Sequence, residues 1–138
     1  MKEKLRNLLQ NSYTPYYKYP VASVIIMKDN AEFYGVNVET SSPYAGICAE
    51  RNALYSALTA GYKKGDVKEI HVMSQTEDDC FPCFICRHAL NDLCNKDVKV
   101  FSHTYSDERI TVHTIEELCP YPFSDDNMKG NSLWKADL

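Results

Sequence analysis

Three cysteines and one carboxylate stand out for the chemistry they could do together. Cys48 opens the run Cys48-Ala49-Glu50-Arg51, and Cys83 and Cys86 lie within Pro82-Cys83-Phe84-Ile85-Cys86. Thiolates bind Zn²⁺ strongly, and a zinc held by three protein ligands keeps a fourth position open for water, the pattern of a catalytic rather than a closed structural site. A carboxylate two residues from a ligand can take and return protons beside that water. Three thiolates on Zn²⁺ carry a net charge near −1, which Arg51 is placed to offset. The expected chemistry is hydrolytic, with Zn²⁺ on Cys48, Cys83 and Cys86 and Glu50 as proton carrier.

The spacing supports those roles unequally. Cys83 and Cys86 are three residues apart, so on a first helical turn their sulfurs share a side. Helix N-termini favour thiolates through unpaired N–H groups and the macrodipole. On a regular helix Glu50 would point roughly 200° away from Cys48. It is therefore expected beside the ion, over an irregular first turn, rather than on it. Cys80 leaves an alternative open, because Cys80-x-x-Cys83-x-x-Cys86 could close a four-thiolate, non-catalytic zinc module. Pro82 directly before Cys83 suits a first turn and favours Cys83 and Cys86 as the helix-borne pair. Cys80, Cys94 and Cys119 are then bystanders. His71, His88, His103 and His113 show no ligand spacing and are expected to be structural, with His88 the one near the site.

Elements that could position these groups follow from periodicity. Residues 2–11 place Leu5, Leu8 and Leu9 on one helical face. Residues 21–27 are almost wholly apolar and β-branched, as in a strand covered on both sides. A turn at 28–30 leads to a partner strand over 32–39, antiparallel because the connection is short. A helix over 47–60, closed by Gly61, buries Ala49, Ala53, Leu54, Ala57 and Leu58. A strand at 67–74, a helix from about 82 burying Cys86, Ala89, Leu90, Leu93 and Cys94, and a strand at 98–102 come next. Residues 109–113 read as an exposed-edge strand, antiparallel to its predecessor because about six residues cannot make a parallel crossover. Thr114-Ile115-Glu116-Glu117 has the form of a capping box, and Pro120 stops the helix it opens. The class is α/β, a five-stranded mixed sheet in three layers (α/β/α) with its last two strands antiparallel. Both cysteine clusters fall where strands end and helices begin, where sites gather in such sheets.

With 138 residues the chain reads as a single domain over 1–138, with a loosely ordered tail at 124–138. A formal net charge of −4 speaks against a nucleic-acid partner. Neither a leader segment nor a run of ~18 apolar residues is found, so no membrane partner is expected. A cytoplasmic, reducing setting follows, and in it six cysteines are expected as ligands or free thiols rather than disulfides.

Taken together, Tyr19-Pro20-Val21, Gly35-Val36-Asn37-Val38-Glu39, Cys48-Ala49-Glu50-Arg51-Asn52-Ala53, Pro82-Cys83-x-x-Cys86-Arg87 and Glu117-Leu118-Cys119-Pro120 followed by Phe123 resemble the cytidine deaminase family in its small, all-cysteine form, over roughly residues 10–125. The resemblance implies a cytidine deaminase-like fold and hydrolysis of cytidine or deoxycytidine to the uridine product with release of ammonia, a pyrimidine-salvage reaction. It implies Zn²⁺ on Cys48, Cys83 and Cys86, with Glu50 as the non-ligand acid/base usual in zinc deaminases. It also implies Asn37 and Glu39 at the ribose hydroxyls, the Ala49 backbone N–H at the pyrimidine, and Tyr19 packed on the base. Phe123 would reach into a neighbouring subunit's site, within a homotetramer.

The chain departs from the family pattern at a few positions. Phe81, Phe84 and Ile85 stand where Ser, Gly and Ala are usual; Thr40, Pro43 and Ser124 replace Asn, an aromatic residue and Gly. These bear on substrate preference more than on reaction type. An aminonucleoside-antibiotic deaminase of the blasticidin type shares the three cysteines, and Glu39 and Arg51 favour a simple nucleoside over it. Editing and deoxycytidylate deaminases typically carry His-x-Glu in place of Cys48-x-Glu50.

Overall fold

A computed structural model describes residues 1–124, 126 and 128. The elements are α1 (Lys2–Leu9), β1 (Val21–Met27), β2 (Glu32–Val36), α2 (Ala49–Thr59), β3 (Val67–Ser74), α3 (Phe84–Leu93), β4 (Lys99–His103), β5 (Ile110–Thr114) and α4 (Ile115–Leu118). The loosely ordered tail expected at 124–138 lies, except for Ser124, Asp126 and Met128, outside the described residues.

The strands form one sheet in the order β2-β1-β3-β4-β5. Only β3 and β4 run parallel, with α3 as their crossover; β4 and β5 pair antiparallel, as the short connection requires. In that connection Asp107 folds back on Thr104, and the Arg109 N–H donates to Asp107 Oδ1 at 2.9 Å. β5 is an edge strand, and its Ile110 and Val112 are exposed.

Alternation sorts the sheet's two faces. Val21 and Ile25 of β1, with Ile70 and Val72 of β3 and Val100 of β4, pack on Ala49, Ala53, Leu54 and Ala57 of α2 and Leu90 of α3. On the other face Ala22, Val24 and Met73 meet Leu5 and Leu9 of α1. This is the expected three-layer α/β/α arrangement. Small residues bring α2 unusually close to the sheet: a Cβ at Gly35 would lie 2.1 Å from the Ala49 carbonyl oxygen and 2.5 Å from the Ala53 nitrogen.

Several boundaries differ from expectation, each for a local reason. β2 stops at Val36, because the backbone of residues 37–39 turns to other partners: the Tyr13 N–H donates to the Asn37 carbonyl, the Tyr13 carbonyl accepts from the Glu39 N–H, and Val38 pairs with Ile47. The next helix starts at Ala49 with Cys48 as its N-cap. Pro82 does not occupy the first turn of α3. It precedes the N-cap Cys83, whose sulfur accepts from the Cys86 N–H. Leu93 and Leu58 are partly rather than fully buried. The capping box is present as read: Thr114 accepts from the Glu117 N–H, and Glu117 returns a bond to the Thr114 N–H.

A candidate metal centre between two helix starts

Cys48 and Cys83 cap the N-termini of α2 and α3, and Cys86 lies one turn into α3. Both helices sit on the same face of the sheet, so their starts converge. The Cys48 and Cys83 sulfurs are 3.7 Å apart, and all three thiol sulfurs lie within 4.8 Å of one another. Cys80 does not join this group among the described residues. Burial, then the nearby Glu50, pushes its thiol up to about 11. Its place outside the sulfur cluster counts against the closed four-thiolate module.

The electrostatics separate the groups by role. The Cys48 thiol is pulled down to about 5, first by a hydrogen bond from Cys86 and, against the cost of burial, by the Arg51 guanidinium and Cys83. Arg51 Nη2 lies 3.6 Å from the Cys48 sulfur. Burial opposes the charge on Arg51, but the sulfurs of Cys48 and Cys86 outweigh it and raise its pKa. Cys86, hydrogen-bonded to Cys48 and buried, is raised, and its sulfur lies 3.8 Å from Glu50 Oε2. A soft, converging three-sulfur set with one sulfur already favouring thiolate and a cation beside it fits Zn²⁺. It also leaves room for a fourth ligand.

Glu50 is only 3% exposed, and burial raises its carboxyl to about 7. It is not one of the clustered metal-ligating groups, and it stands against one of them. A carboxyl that exchanges protons near neutrality beside a metal-ligand cluster can work as a proton carrier.

Two adjoining cavities open at this point. The inner one, about 460 Å³, is lined by Tyr19, Val21, Asn37, Ala49, Glu50 and the segment Asp79–Phe81, together with Cys48 and Cys83. The outer one, about 400 Å³, is lined by Glu39, Thr40, Pro43, Arg51 and Ile85 among others. Asn37 and Cys48 line both.

A pair of backbone hydrogen bonds between Val38 and Ile47 holds residues 37–39 against the start of α2. The Asn37 side chain accepts from the Val21 N–H and donates to the Tyr19 carbonyl, both at 2.8 Å. Glu39 accepts from the Tyr16 N–H at 2.8 Å and the Tyr17 N–H at 3.1 Å.

The structure thus gathers Cys48, Cys83, Glu50, Ala49, Asn37 and Tyr19 in the lining of one cavity, with Cys86 buried in the sulfur cluster beside it and Glu39 in the next cavity. Phe123 lines neither cavity and is 61% exposed. His88 is not at the site; it pairs with Asp92 one turn along α3, with its side chain half exposed. His71 and His103 are structural, buried on the opposite face of the sheet with 2.9 Å between ring nitrogens. Asp79 is not singled out by spacing, because it lies outside both cysteine motifs. Its only sequence signal is a charge just ahead of an otherwise apolar Cys80-Phe81-Pro82.

Residues 1–102 match the family model described as the cytidine and deoxycytidylate deaminase zinc-binding region. A cytidine deaminase from Halalkalibacterium halodurans is 34% identical over 119 residues, 86% of this chain and 88% of that protein. A cytidine deaminase from Sporosarcina psychrophila is 29% identical over 119 residues, covering 86% and 85%. The crystal structure of cytidine deaminase from Burkholderia pseudomallei superposes with a TM-score of 0.83 at 31% identity, covering 88% of this chain and 94% of that one.

Proposed function

The chain belongs to the cytidine and deoxycytidylate deaminase zinc-binding family, and from that premise we propose that it hydrolyses cytidine or deoxycytidine to the uridine product and ammonia, with residues 1–138 acting as one catalytic unit. The observation that carries this reading is Glu50, buried beside three convergent cysteine sulfurs with its carboxyl near neutrality at the wall of the inner cavity.

Cys48, Cys83 and Cys86 would hold Zn²⁺, which when bound supplies Lewis-acid activation of water. Glu50 handles the protons. It takes a proton from the attacking water as the C4–O bond forms and passes it to ring N3. It then takes the remaining hydroxyl proton as the carbonyl forms and passes it to the amine, which departs as ammonia with the C4–N bond pair. Arg51 limits the negative charge that the thiolates build up. The Ala49 N–H, at the start of α2 and without an intrahelical partner, is directed at the pyrimidine.

Asn37 and Glu39 serve the sugar. Each is already fixed by the 16–21 segment, yet an amide retains a second lone pair and a second N–H, and a carboxylate retains further acceptor sites. Their existing bonds therefore pre-orient them without exhausting them. Tyr19 packs against the base from the inner cavity wall.

Phe123, exposed and away from its own cavities, suits a contact in a neighbouring subunit's site, within a homotetramer. A cytoplasmic salvage role accords with the free cysteines and with the lack, among the described residues, of a helix able to cross a membrane.

The test is ammonia release from cytidine, deoxycytidine, cytosine and a blasticidin-type aminonucleoside, each with and without a chelator. Turnover of the two nucleosides that is lost on chelation and restored by Zn²⁺ is expected. Turnover of the antibiotic alone, or activity indifferent to chelation, would overturn the reading.

A further inference from the structure

One of the three clustered cysteines is placed without help from the core. Cys86 is fully buried, and Cys48 follows Ile47, whose backbone is paired with Val38. Cys83 is exposed, and it ends the irregular segment that joins β3 to α3. In that segment the Cys80 N–H donates to the Ser102 hydroxyl at 2.8 Å, which fixes the chain just upstream of Cys83 but not at it. Metal–ligand distances hold to about ±0.2 Å in a working site, so a loop-borne sulfur needs its own backbone fixed.

The Arg87 guanidinium supplies that fixing. Its Nε donates at 2.7 Å to the Pro82 carbonyl, which belongs to the peptide leading into Cys83, and its Nη1 donates at 3.0 Å to the Leu118 carbonyl. Leu118 ends α4, where carbonyls lack intrahelical partners. α4 is a firm anchor, because it opens on the Thr114–Glu117 capping box and buries Ile115 and Leu118 in the core. A guanidinium presents donors in a rigid planar fork and can span two carbonyls at once, which a lysine ammonium on its flexible stem does not reproduce. Phe84, one turn back on α3, lies with its ring centroid 4.5 Å from the guanidinium carbon. Its ring is largely exposed, so it covers the fork from the solvent side.

Resting on the assignment of Cys48, Cys83 and Cys86 to zinc, we infer that Arg87 is a positioning residue for the metal centre. It braces the peptide before Cys83 against the end of α4, and Phe84 stacks on it to hold the plane of the fork. The brace touches neither metal nor substrate. It fixes the backbone from which the exposed Cys83 sulfur reaches the cluster. Without it that one ligand is loosened, while Cys86 stays fixed by burial and Cys48 by the start of α2.

The test compares Arg87→Lys, Arg87→Gln and Phe84→Ala with the unmodified protein. Zinc affinity is measured by competition with a chromophoric chelator, ligand geometry from the d–d bands of the Co²⁺-substituted protein, and stability from thermal unfolding. Both Arg87 variants should bind zinc about 10–100-fold more weakly, the usual cost of losing an outer partner of a metal ligand, and should shift the Co²⁺ bands. Phe84→Ala should weaken zinc binding about 2–5-fold, the worth of an exposed cation–π contact, and it serves on its own if the Arg87 variants do not fold. Gly61→Ala, at the far end of α2, gives the zinc affinity of a protein destabilised away from the site. A lower Tm with zinc affinity and Co²⁺ bands unchanged, as a purely structural role would give, overturns the assignment. Full zinc affinity in Arg87→Lys does so too, because charge would then suffice without the fork. Thiolate-to-Co²⁺ charge-transfer absorption in the unmodified protein tests the three-cysteine site separately, and its absence would count against that site rather than against the brace.

Discussion

Gly35→Ala probes whether the spacing between sheet and helix sets the site. Gly35 pairs with Ser23 in the β1–β2 ladder and lies under the first turn of α2. The new methyl carbon would stand 2.1 Å from the Ala49 carbonyl oxygen, where ordinary contact begins at 3.4 Å. Both of the nearest atoms are backbone, so no side chain can swing aside. The start of α2 must retreat by about 1 Å, and with it Cys48, Ala49 and Glu50. Overpacking of this kind costs about 1–3 kcal/mol, which for a chain of this size lowers Tm by roughly 3–10 °C. A displacement of about 1 Å in a positioned catalytic group costs about 10²-fold in rate. Turnover, zinc content and thermal unfolding should be followed together, with Gly61→Ala as comparator. Gly61 closes α2 at φ 100°, and a methyl carbon added there would meet no atom within 4 Å, so alanine strains the backbone and lowers stability without moving the site. Gly35→Ala should lose rate far beyond what its lost stability explains, and Gly61→Ala should not. Wild-type turnover within twofold in Gly35→Ala, at unchanged Tm, would refute the reasoning.

Glu50→Gln should keep zinc and fold while lowering kcat about 10²–10⁴-fold, the usual worth of a general acid/base; metal analysis beside steady-state kinetics checks both, and turnover within a few-fold of wild type would remove its proton-carrying role. Asn37→Ala removes the acceptor for the Val21 N–H and the donor to the Tyr19 carbonyl. It should cost about 1–3 kcal/mol of stability and raise KM for nucleosides more than for free cytosine, as urea unfolding and kinetics would show. The His71–His103 pair predicts acid sensitivity. Burial, then the facing His71, depresses His103 to about 4, and burial lowers His71 despite Glu69. The unfolded chain therefore takes up protons first, and stability is full above about pH 6.5 and falls as pH drops toward 4. His103 contributes at most about 3 kcal/mol of that loss. Urea unfolding at pH 7, 5.5 and 4 should show a shallower fall in His103→Asn, and an identical slope would rule the pair out.

The parts of the site legible in the sequence are those set by short-range geometry. Cys48, Cys83 and Cys86 converge because two helix starts on one sheet face bring capping residues together. The helix periods and the apolar run of β1 are both readable. Antiparallel pairing of the last two strands follows from chain length alone. What escapes depends on groups far apart in sequence. That Gly35 sits under Ala49 and Ala53 is a matter of register between β2 and α2. Asp79 reaches its place through Thr111, 32 residues away, and His71 meets His103 across a parallel strand pair. β2 ends early for the same reason: residues 37–39 have an alternating pattern fit for a strand, but their backbone pairs with Tyr13 and Ile47.

The positions where the chain departs from its family pattern fall largely outside the catalytic groups. Phe84 is 75% exposed beneath the Arg87 guanidinium, 4.5 Å from its ring. Thr40, Pro43 and Ile85 line the outer cavity, on the side of Glu39. Phe81 alone of these borders the inner cavity, and its ring meets His113 edge-on at 5.3 Å. On the proposed reading, a base held over Glu50 meets Cys48, Ala49 and, of the altered positions, Phe81 alone. Whatever hangs from the sugar meets the altered surface. Substitution there can change which nucleosides are accepted without disturbing proton transfer, because the two cavities share only Asn37 and Cys48, and both are fixed by contacts that do not involve the altered residues.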